Sequence, residues 1–269
     1  MIEGFKLAAL EAGQRIMGIY EEEIQPDVKN DGSPVTVADQ QAEEIILQHL
    51  TKLCPEIPVV AEESVAAGKI PQVGSQFILV DPLDGTKEFI SRNGEFTVNI
   101  ALVENGCPTV GVIYAPATGE LFWGEIGRGA YRADTRDFEL GVQTQMKCES
   151  SSKNLLVLAS RSHRCEKTNS LIAKLDNTSI VAAGSSLKFC RLAEGKADIY
   201  PRMGPTMEWD TAAGQAILCA AGGSVIVEGG EPLKYGKVET PQGKPFANPC
   251  FIAVTDEKII SHYGLRSVW

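Results

Sequence analysis

The sequence predicts a layered α/β or α+β protein, and three observations indicate this class. The chain has 269 residues, which is enough for one large domain or two closely associated halves. Segments with helical periodicity alternate with short apolar runs along the chain. No internal repeat, low-complexity segment or Gly/Ser-rich linker interrupts the sequence. We therefore expect one domain over residues 1–269, with an N-terminal half of about 1–145 and a C-terminal half of about 146–269.

The predicted elements follow from periodicity and turn residues. The N-terminal half should contain helices at 2–20 and 39–53 and strands at 58–61, 76–80, 96–103, 109–115, 121–125 and 129–132. Asn105-Gly106 is a strong hairpin signal between two of these strands. The C-terminal half should contain strands at 155–159, 178–183, 197–201 and 223–227 and helices at 165–175, 186–195 and 211–221.

Composition argues against several classes of protein. The net charge of −10 disfavours a surface that binds the phosphate backbone of a nucleic acid. The N-terminal helix mixes charged and apolar residues, unlike a signal peptide, and the longest uncharged run, 211–227, is shorter than a membrane span. Seven scattered cysteines without a CxxC pair are typical of reduced thiols, and three distant histidines argue against a His-rich metal site. We expect a soluble cytoplasmic protein without a transmembrane segment.

The segment VDPLDGTKEF, residues 80–89, places three acids directly after a strongly apolar run. Two like charges about 4 Å apart cost roughly 4 kcal/mol at an effective dielectric of 20, so a proton or a cation is needed to offset them. Pro82 is expected to end the strand. The following turn can present Asp81, Asp84 and the Leu83 carbonyl to one point, an oxygen-only set that suits Mg²⁺. The alternative is a turn that merely caps the next helix.

Two other segments also place acids at the ends of predicted elements. Glu62 and Glu63 directly follow the strand at 58–61. Asp210 precedes a helix of small residues, where the free backbone N–H groups favour a carboxylate. The alternatives are an exposed strand end for the two glutamates and a plain N-cap for Asp210.

The motifs together resemble one family. Asp39, Glu62-Glu63-Ser64, Asp81-Pro-Leu-Asp-Gly-Thr86 and Trp209-Asp210-x-x-Ala-Gly214 occur in the order found in the Mg²⁺-dependent, lithium-sensitive inositol monophosphatase superfamily. The resemblance covers nearly the whole chain and implies a single phosphatase domain with an α+β fold, the layered αβαβα sandwich of inositol monophosphatases and sugar phosphatases. More narrowly, DPLDGTKEFI, RNGEFTVNIALV, SRSH, GSSLKFC and YPRMGPTMEWDTAAGQA are similar to CysQ-type 3′(2′),5′-bisphosphate nucleotidases.

The resemblance implies two Mg²⁺ ions, with a third as an option. Glu62, Asp81 and the Leu83 carbonyl would hold the first ion. Asp81, Asp84 and Asp210 would hold the second, so that Asp81 bridges the pair. Two cations about 4 Å apart neutralise charge on the attacking and leaving oxygens. The crowded acids would then be paired through cations.

The resemblance also implies a catalytic pair. Asp39 and Thr86 would orient and deprotonate the water that the metal activates, and Glu63 would lie behind the ligands or help to hold a weaker third ion. A threonine hydroxyl is too weak a base alone, but when it is bonded to a carboxylate it can relay a proton.

Candidate substrate contacts lie in both halves. Gly184-Ser185-Ser186 could offer backbone N–H groups to a second phosphate or a ribose hydroxyl, although either serine could simply cap the helix. Arg202 stands near the place where inositol monophosphatases carry a Glu, which favours an anionic or purine-bearing ligand; an ordinary surface ion pair is the alternative. Lys188 is a similar, weaker candidate. The full set is Glu62, Leu83, Asp84, Gly85, Thr86, Gly184, Ser185, Ser186, Lys188, Arg202 and Asp210.

The leading expectation is a phosphatase that removes the 3′-phosphate of adenosine 3′,5′-bisphosphate, giving AMP and phosphate. The resemblance extends this activity to 3′-phosphoadenosine 5′-phosphosulfate and implies a role in clearing a by-product of sulfate assimilation. The alternatives are an inositol-1-phosphate or broader sugar-phosphate phosphatase, and a catalytically silent phospho-ligand binder. The substrate would be the main partner of a monomer or homodimer in the cytoplasm or on the cytoplasmic face of the inner membrane. The sequence lacks the G-x-x-x-x-G-K-[ST] loop of many nucleoside triphosphatases.

Overall fold

A computed structural model describes residues 1–22, 27–28, 34–149, 154–159, 165–241 and 243–266. The helices are α1 (Ile2–Tyr20), α2 (Val37–Leu53), α3 (Glu62–Ala66), α4 (Thr86–Ile90), α5 (Glu166–Ile172), α6 (Leu187–Ala193), α7 (Ala212–Ala220) and α8 (Glu257–His262). The strands of the N-terminal half are β1 (Asp27–Val28), β2 (Pro34–Val35), β3 (Val59–Ala61), β4 (Gln76–Asp84), β5 (Thr97–Glu104), β6 (Cys107–Ala115), β7 (Glu120–Glu125), β8 (Gly129–Arg136), β9 (Glu139–Leu140) and β10 (Thr144–Met146). Those of the C-terminal half are β11 (Leu155–Ala159), β12 (Thr178–Ala182), β13 (Ile199–Arg202), β14 (Ser224–Val227) and β15 (Phe251–Val254). The SRSH motif lies outside the described residues.

The larger sheet is mostly antiparallel. Its strand order is β10-β8-β7-β6-β5-β4-β3, and β9 pairs with β8 at the side. Among the strands that the structure describes in this sheet, only β3 and β4 pair in parallel. The predicted hairpin between β5 and β6 is confirmed, because Asn105 and Gly106 both have positive φ angles, 52° and 74°, as a tight two-residue turn requires.

The smaller sheet combines parallel and antiparallel strands in the order β12-β11-β13-β15-β14. The strands β12, β11 and β13 run parallel, which reflects the predicted alternation of strand and helix. Strand β15 pairs antiparallel with both β13 and β14. Neither β15 nor α8 was predicted, although the apolar residues of β15 are buried and complete this sheet.

Three apolar clusters divide the protein into layers. The first joins α1 and α2 to one face of the larger sheet. The second joins the opposite face to α6 and α7, and through them to one face of the smaller sheet. The third joins the outer face of the smaller sheet to α5 and α8. The order is therefore helix, sheet, helix, sheet, helix, which confirms the predicted αβαβα sandwich.

Two glycines let α7 lie directly on the larger sheet. A Cβ atom at Gly111 would overlap the carbonyl oxygen of Ala213. A Cβ atom at Gly124 would lie 2.8 Å from the Cα of Ile217. Because α7 belongs to the C-terminal half and packs on the sheet of the N-terminal half, it carries Asp210, two residues before its start, into the interface. The division near residue 145 stays a prediction.

The strand that carries the aspartates is longer than predicted. It continues past Pro82 to Asp84, because the pairing with β5 shifts register between Asp81 and Asp84 and then resumes. Proline is tolerated at such an irregularity, where no ladder hydrogen bond needs its N–H. The predicted end of this strand at Pro82 was therefore wrong.

The second helix begins earlier than predicted. It starts at Val37, because Thr36 and Asp39 form a reciprocal capping box.

Among the residues that the structure describes, no helix has the length and apolar character needed to cross a membrane. All seven cysteines are free thiols, as the sequence indicated.

Candidate active site and metal centre

Two of the predicted acids lie at matching positions of neighbouring strands: Glu62 directly follows β3, and Asp81 lies within β4. Ala61 of β3 pairs with Val80 of β4 in parallel register, so the next residues, Glu62 and Asp81, emerge side by side. Asp81 is only 1% exposed. The backbone N–H of Leu83 donates to Asp81 Oδ1 at 3.1 Å, which holds the carboxylate in place.

Asp210 joins this pair from the distant turn before α7. Carboxylate oxygens of Glu62, Asp81 and Asp210 lie within 4.8 Å of one another, a group identified within the described part of the chain. The backbone N–H of Met207 donates to Asp210 Oδ2 at 2.9 Å. Burial, together with the charges of Asp84 and Glu62, raises the pKa of the Asp210 carboxyl to about 8. The group thus concentrates negative charge that a cation would offset.

The chemistry of these donors fits a hard divalent cation. Carboxylate and carbonyl oxygens are the ligands of Mg²⁺, whereas Zn²⁺ sites usually include His or Cys. The carbonyl oxygen of Leu83, predicted as a further ligand, lies 3.4 Å from Thr86 Oγ1, and a carbonyl oxygen has two lone pairs that can accept partners. We therefore take the group as the candidate metal centre.

Asp84 lines the same cavity but lies outside the group of three carboxylates. Its Oδ2 atom accepts hydrogen bonds from the hydroxyls of Ser185 and Ser186, each at 2.6 Å. The backbone places it opposite Thr97, where the pairing of β4 and β5 resumes. Its predicted role as a metal ligand stays a prediction.

The predicted catalytic pair is in contact. Thr86 opens α4 directly after Gly85, whose φ of 99° is in the left-handed region that favours glycine. The Thr86 hydroxyl donates to Asp39 Oδ1 at 3.0 Å. The other oxygen of Asp39 accepts the backbone N–H and the hydroxyl of Thr36, both at 2.7 Å. Asp39, at 1% exposure, is therefore held rigidly with one oxygen directed to Thr86.

The hydroxyls of Ser185 and Ser186 form hydrogen bonds with Asp84 and do not cap the helix that follows them. Neither capping alternative is observed, because Ser186 is the N-cap of α6 without a side-chain capping bond. Ser186 Oγ lies 2.8 Å from the Asp210 carbonyl and accepts from Asn99 Nδ2 at 2.8 Å, while Ser185 Oγ contacts Thr97 Oγ1. Sequence reasoning missed Thr97 and Asn99. The available signal was two polar residues, two positions apart, on one side of a buried strand.

Two cations flank the same cavity, whose volume is about 250 Å³. Lys188 is 4% exposed, and its ammonium donates to the carbonyl of Ser185 at 2.6 Å. Burial lowers the pKa of Lys188 to about 8. Arg202 donates to the carbonyls of Gly204 and Pro205 and pairs with no carboxylate among the described residues, so the surface ion pair is not observed.

Two predicted site residues, Glu63 and Gly184, do not line the cavity. The backbone N–H of Glu63 donates to Glu43 Oε2 at 2.8 Å. A Cβ atom at Gly184 would lie 2.8 Å from Glu95, so this glycine permits a close approach of the two segments.

Comparison with known proteins identifies the family. The profile of the inositol monophosphatase family matches residues 1–259. The chain belongs to the inositol monophosphatase family. Members of this family are metal-dependent phosphatases, which agrees with an acidic group able to bind a metal. The family predicted from the sequence motifs is confirmed.

Several relatives of this family member are similar over nearly their whole length. The 3′(2′),5′-bisphosphate nucleotidase CysQ of Salmonella typhimurium is 44% identical over 253 residues, 93% of this chain and 98% of the relative. The crystal structure of CysQ from Bacteroides thetaiotaomicron is 42% identical, with a TM-score of 0.78 and coverage of 95% and 97%. An inositol monophosphatase from Anabaena is 25% identical, with a TM-score of 0.73 and coverage of 99% and 95%. The similarity is therefore greater to these CysQ proteins than to that inositol monophosphatase.

Proposed function

We propose that the chain is a Mg²⁺-dependent 3′(2′),5′-bisphosphate nucleotidase that hydrolyses the 3′-phosphate of adenosine 3′,5′-bisphosphate to give AMP and phosphate. The observation that carries the proposal is the Asp39–Thr86 hydrogen bond at a cavity lined by clustered carboxylates, in a chain 44% identical to a CysQ nucleotidase. The same chemistry extends to the 3′-phosphate of 3′-phosphoadenosine 5′-phosphosulfate.

The acids would hold two Mg²⁺ ions. Glu62, Asp81 and the Leu83 carbonyl would form one ligand set, and Asp81, Asp84 and Asp210 would form the other. When bound, the ions supply positive charge that acidifies the attacking water and stabilises the negative charge of the phosphate in the transition state. Because Ser185 and Ser186 both donate to one oxygen of Asp84, they hold that carboxylate in a defined orientation.

The chain's own residues move the proton. Thr86 Oγ1 donates to Asp39, so its oxygen lone pairs are directed away from Asp39 and can accept a proton from the attacking water. As the hydroxyl takes that proton, it passes its own proton to the Asp39 carboxylate. The two bonds from Thr36 keep Asp39 from rotating away during this transfer.

Lys188 and Arg202 favour a substrate with a second anionic group. Both residues line the cavity that also contains Glu62 and Asp210. A 5′-phosphate next to these cations would be attracted to their positive charge within an otherwise acidic chain, whereas a neutral polyol would gain less from them. Three other expectations remain predictions: that the chain is a monomer or homodimer, that it lies in the cytoplasm or on the inner membrane, and that a third ion binds near Glu63.

Parallel assays of phosphate release test the proposal. Adenosine 3′,5′-bisphosphate and inositol 1-phosphate are each supplied with Mg²⁺ and, separately, with excess EDTA. We expect hydrolysis of the bisphosphate at a kcat/KM at least about tenfold higher than for inositol 1-phosphate, equivalent to one phosphate contact of roughly 1.4 kcal/mol. EDTA should abolish both rates. Preference for inositol 1-phosphate would support the alternative phosphatase, and no turnover of either would indicate a binding protein.

A further inference from the structure

A buried carboxylate on α2 reaches the segment that carries a candidate metal ligand. Glu43 is 5% exposed and lies one helical turn after Asp39, on the same face of α2. It was not among the residues expected to contribute to the site. Its position therefore connects the helix of the catalytic pair to another part of the metal centre.

Glu43 holds the start of α3 through three hydrogen bonds. Its Oε2 accepts the backbone N–H of Glu63 at 2.8 Å. Its Oε1 accepts the backbone N–H of Ser64 at 2.8 Å and the Ser64 hydroxyl at 2.6 Å. The N-cap residue Ala61 has no side chain that could satisfy these donors. Glu43 therefore performs the capping that the local sequence lacks.

These three hydrogen bonds fix the backbone that orients Glu62. The first residue of α3 is Glu62, whose carboxylate belongs to the group with Asp81 and Asp210. Fixing the next two N–H groups fixes the direction of the first turn and hence the path of the Glu62 side chain. Strand β3 anchors the segment from the other side through its pairing with β4.

We infer that Glu43 is a positioning residue for the metal centre, and that α2 sets the spacing between Glu62 and the Asp39–Thr86 pair. The inference rests on the proposed metal-dependent function. Hydrogen bonds that orient a metal ligand commonly change metal affinity by roughly 10- to 100-fold when they are lost. The isosteric change Glu43→Gln should remove one of these bonds, because its amide NH₂ would face an N–H donor.

Direct metal binding is the primary measurement. Mn²⁺ serves as the probe, because the electron paramagnetic resonance signal of the free ion reports the bound fraction during titration of the full chain. We expect the Mn²⁺ dissociation constant of Glu43→Gln to rise by about tenfold or more. The matched control is Glu44→Gln on the same helix, where the side chain is exposed and accepts a hydrogen bond from Gln48. It should bind Mn²⁺ within about twofold of the wild type, the usual range for a surface change.

Four further readouts separate positioning from general destabilisation. Circular dichroism and thermal unfolding without metal report whether the variant is folded. The Mg²⁺ concentration that half-saturates activity should rise by about tenfold in Glu43→Gln, while kcat at saturating Mg²⁺ should stay within about threefold of wild type. Should Glu43→Gln fail to fold, Ser64→Ala removes one of the three bonds and should weaken Mn²⁺ binding by roughly threefold.

An unchanged Mn²⁺ dissociation constant in a folded Glu43→Gln, or in Ser64→Ala if the first variant is unfolded, would overturn the inference. A wild-type chain that binds no Mn²⁺ would overturn both the inference and the proposed function. A wild type that binds Mn²⁺ but prefers inositol 1-phosphate would overturn the nucleotide assignment alone. In that case the comparison of Glu43→Gln with Glu44→Gln still decides the role of Glu43.

Discussion

The change Asp39→Asn tests the proposed proton acceptor with little change in shape. In the folded protein, the two donors of Thr36 require an acceptor at the Oδ2 position. The carbonyl of the introduced amide must therefore take that position, which places the amide NH₂ opposite the Thr86 hydroxyl. Thr86 would then accept a hydrogen bond from this NH₂ instead of donating one, and a proton could no longer pass from Thr86 to the substituted side chain.

The expected loss in rate is large compared with the expected loss in stability. Removing a positioned proton acceptor lowers kcat by about 10²- to 10⁴-fold, or roughly 3–6 kcal/mol in the barrier at about 1.4 kcal/mol per tenfold change. Loss of the negative charge in the first turn of α2 should lower the free energy of unfolding by only about 0.3–1 kcal/mol. The substitution should therefore separate catalysis from folding.

The assay is kcat for adenosine 3′,5′-bisphosphate at saturating Mg²⁺, together with the midpoint of thermal unfolding. The control is Thr36→Ala, which loses about 1 kcal/mol of capping energy but leaves the bond between Asp39 and Thr86 in place. We expect this control to keep kcat within about tenfold of wild type. If Asp39→Asn retained kcat within the same range, or if both variants lost activity equally, the proton-transfer argument would be wrong.

Three other changes test separate parts of the structure. Arg202→Glu should raise the KM for adenosine 3′,5′-bisphosphate by about tenfold or more and leave that for inositol 1-phosphate nearly unchanged; equal losses would remove its role in selectivity. Because burial lowers the pKa of Lys188 to about 8, its charge is lost as pH rises through that value. The ratio of kcat/KM for the bisphosphate to that for adenosine 3′-monophosphate should therefore fall above pH 8, and a constant ratio from about pH 7 to 10 would contradict the role. Gly111→Ala forces a Cβ against the Ala213 carbonyl oxygen, and should lower the free energy of unfolding by about 1–3 kcal/mol in urea titrations; an unchanged midpoint would show that α7 can shift freely.

The acidic segments could be located from sequence because their signals are local. An apolar run followed by acids predicted the end of a buried strand, and Glu62 does directly follow β3, although β4 continues past Asp81 to Asp84. The parallel register that brings them side by side follows once β3 and β4 are neighbours. The small-residue helix after Asp210 was predicted, but its close approach to the glycines of β6 and β7 was not.

The contacts that orient the site could not be predicted, because they join residues far apart in the chain. Ser185 and Ser186 were expected to cap α6 or bind substrate, but more than a hundred positions separate them from Asp84, whose carboxylate they contact. Glu43 looks like any charged helix residue until α3 is seen beside it. Periodicity and turn patterns report local structure, whereas these contacts arise only when distant elements pack together, Asp84 against the start of α6 and α2 against α3.

The most direct test of the metal centre is anomalous diffraction from crystals grown with Mn²⁺ and AMP plus phosphate. We expect one peak within about 2.0–2.3 Å of oxygens from Glu62 and Asp81, and a second between Asp81 and Asp210, with phosphate on the Thr86 side. Anomalous peaks only outside this cavity, in a preparation whose activity depends on the metal, would contradict the account.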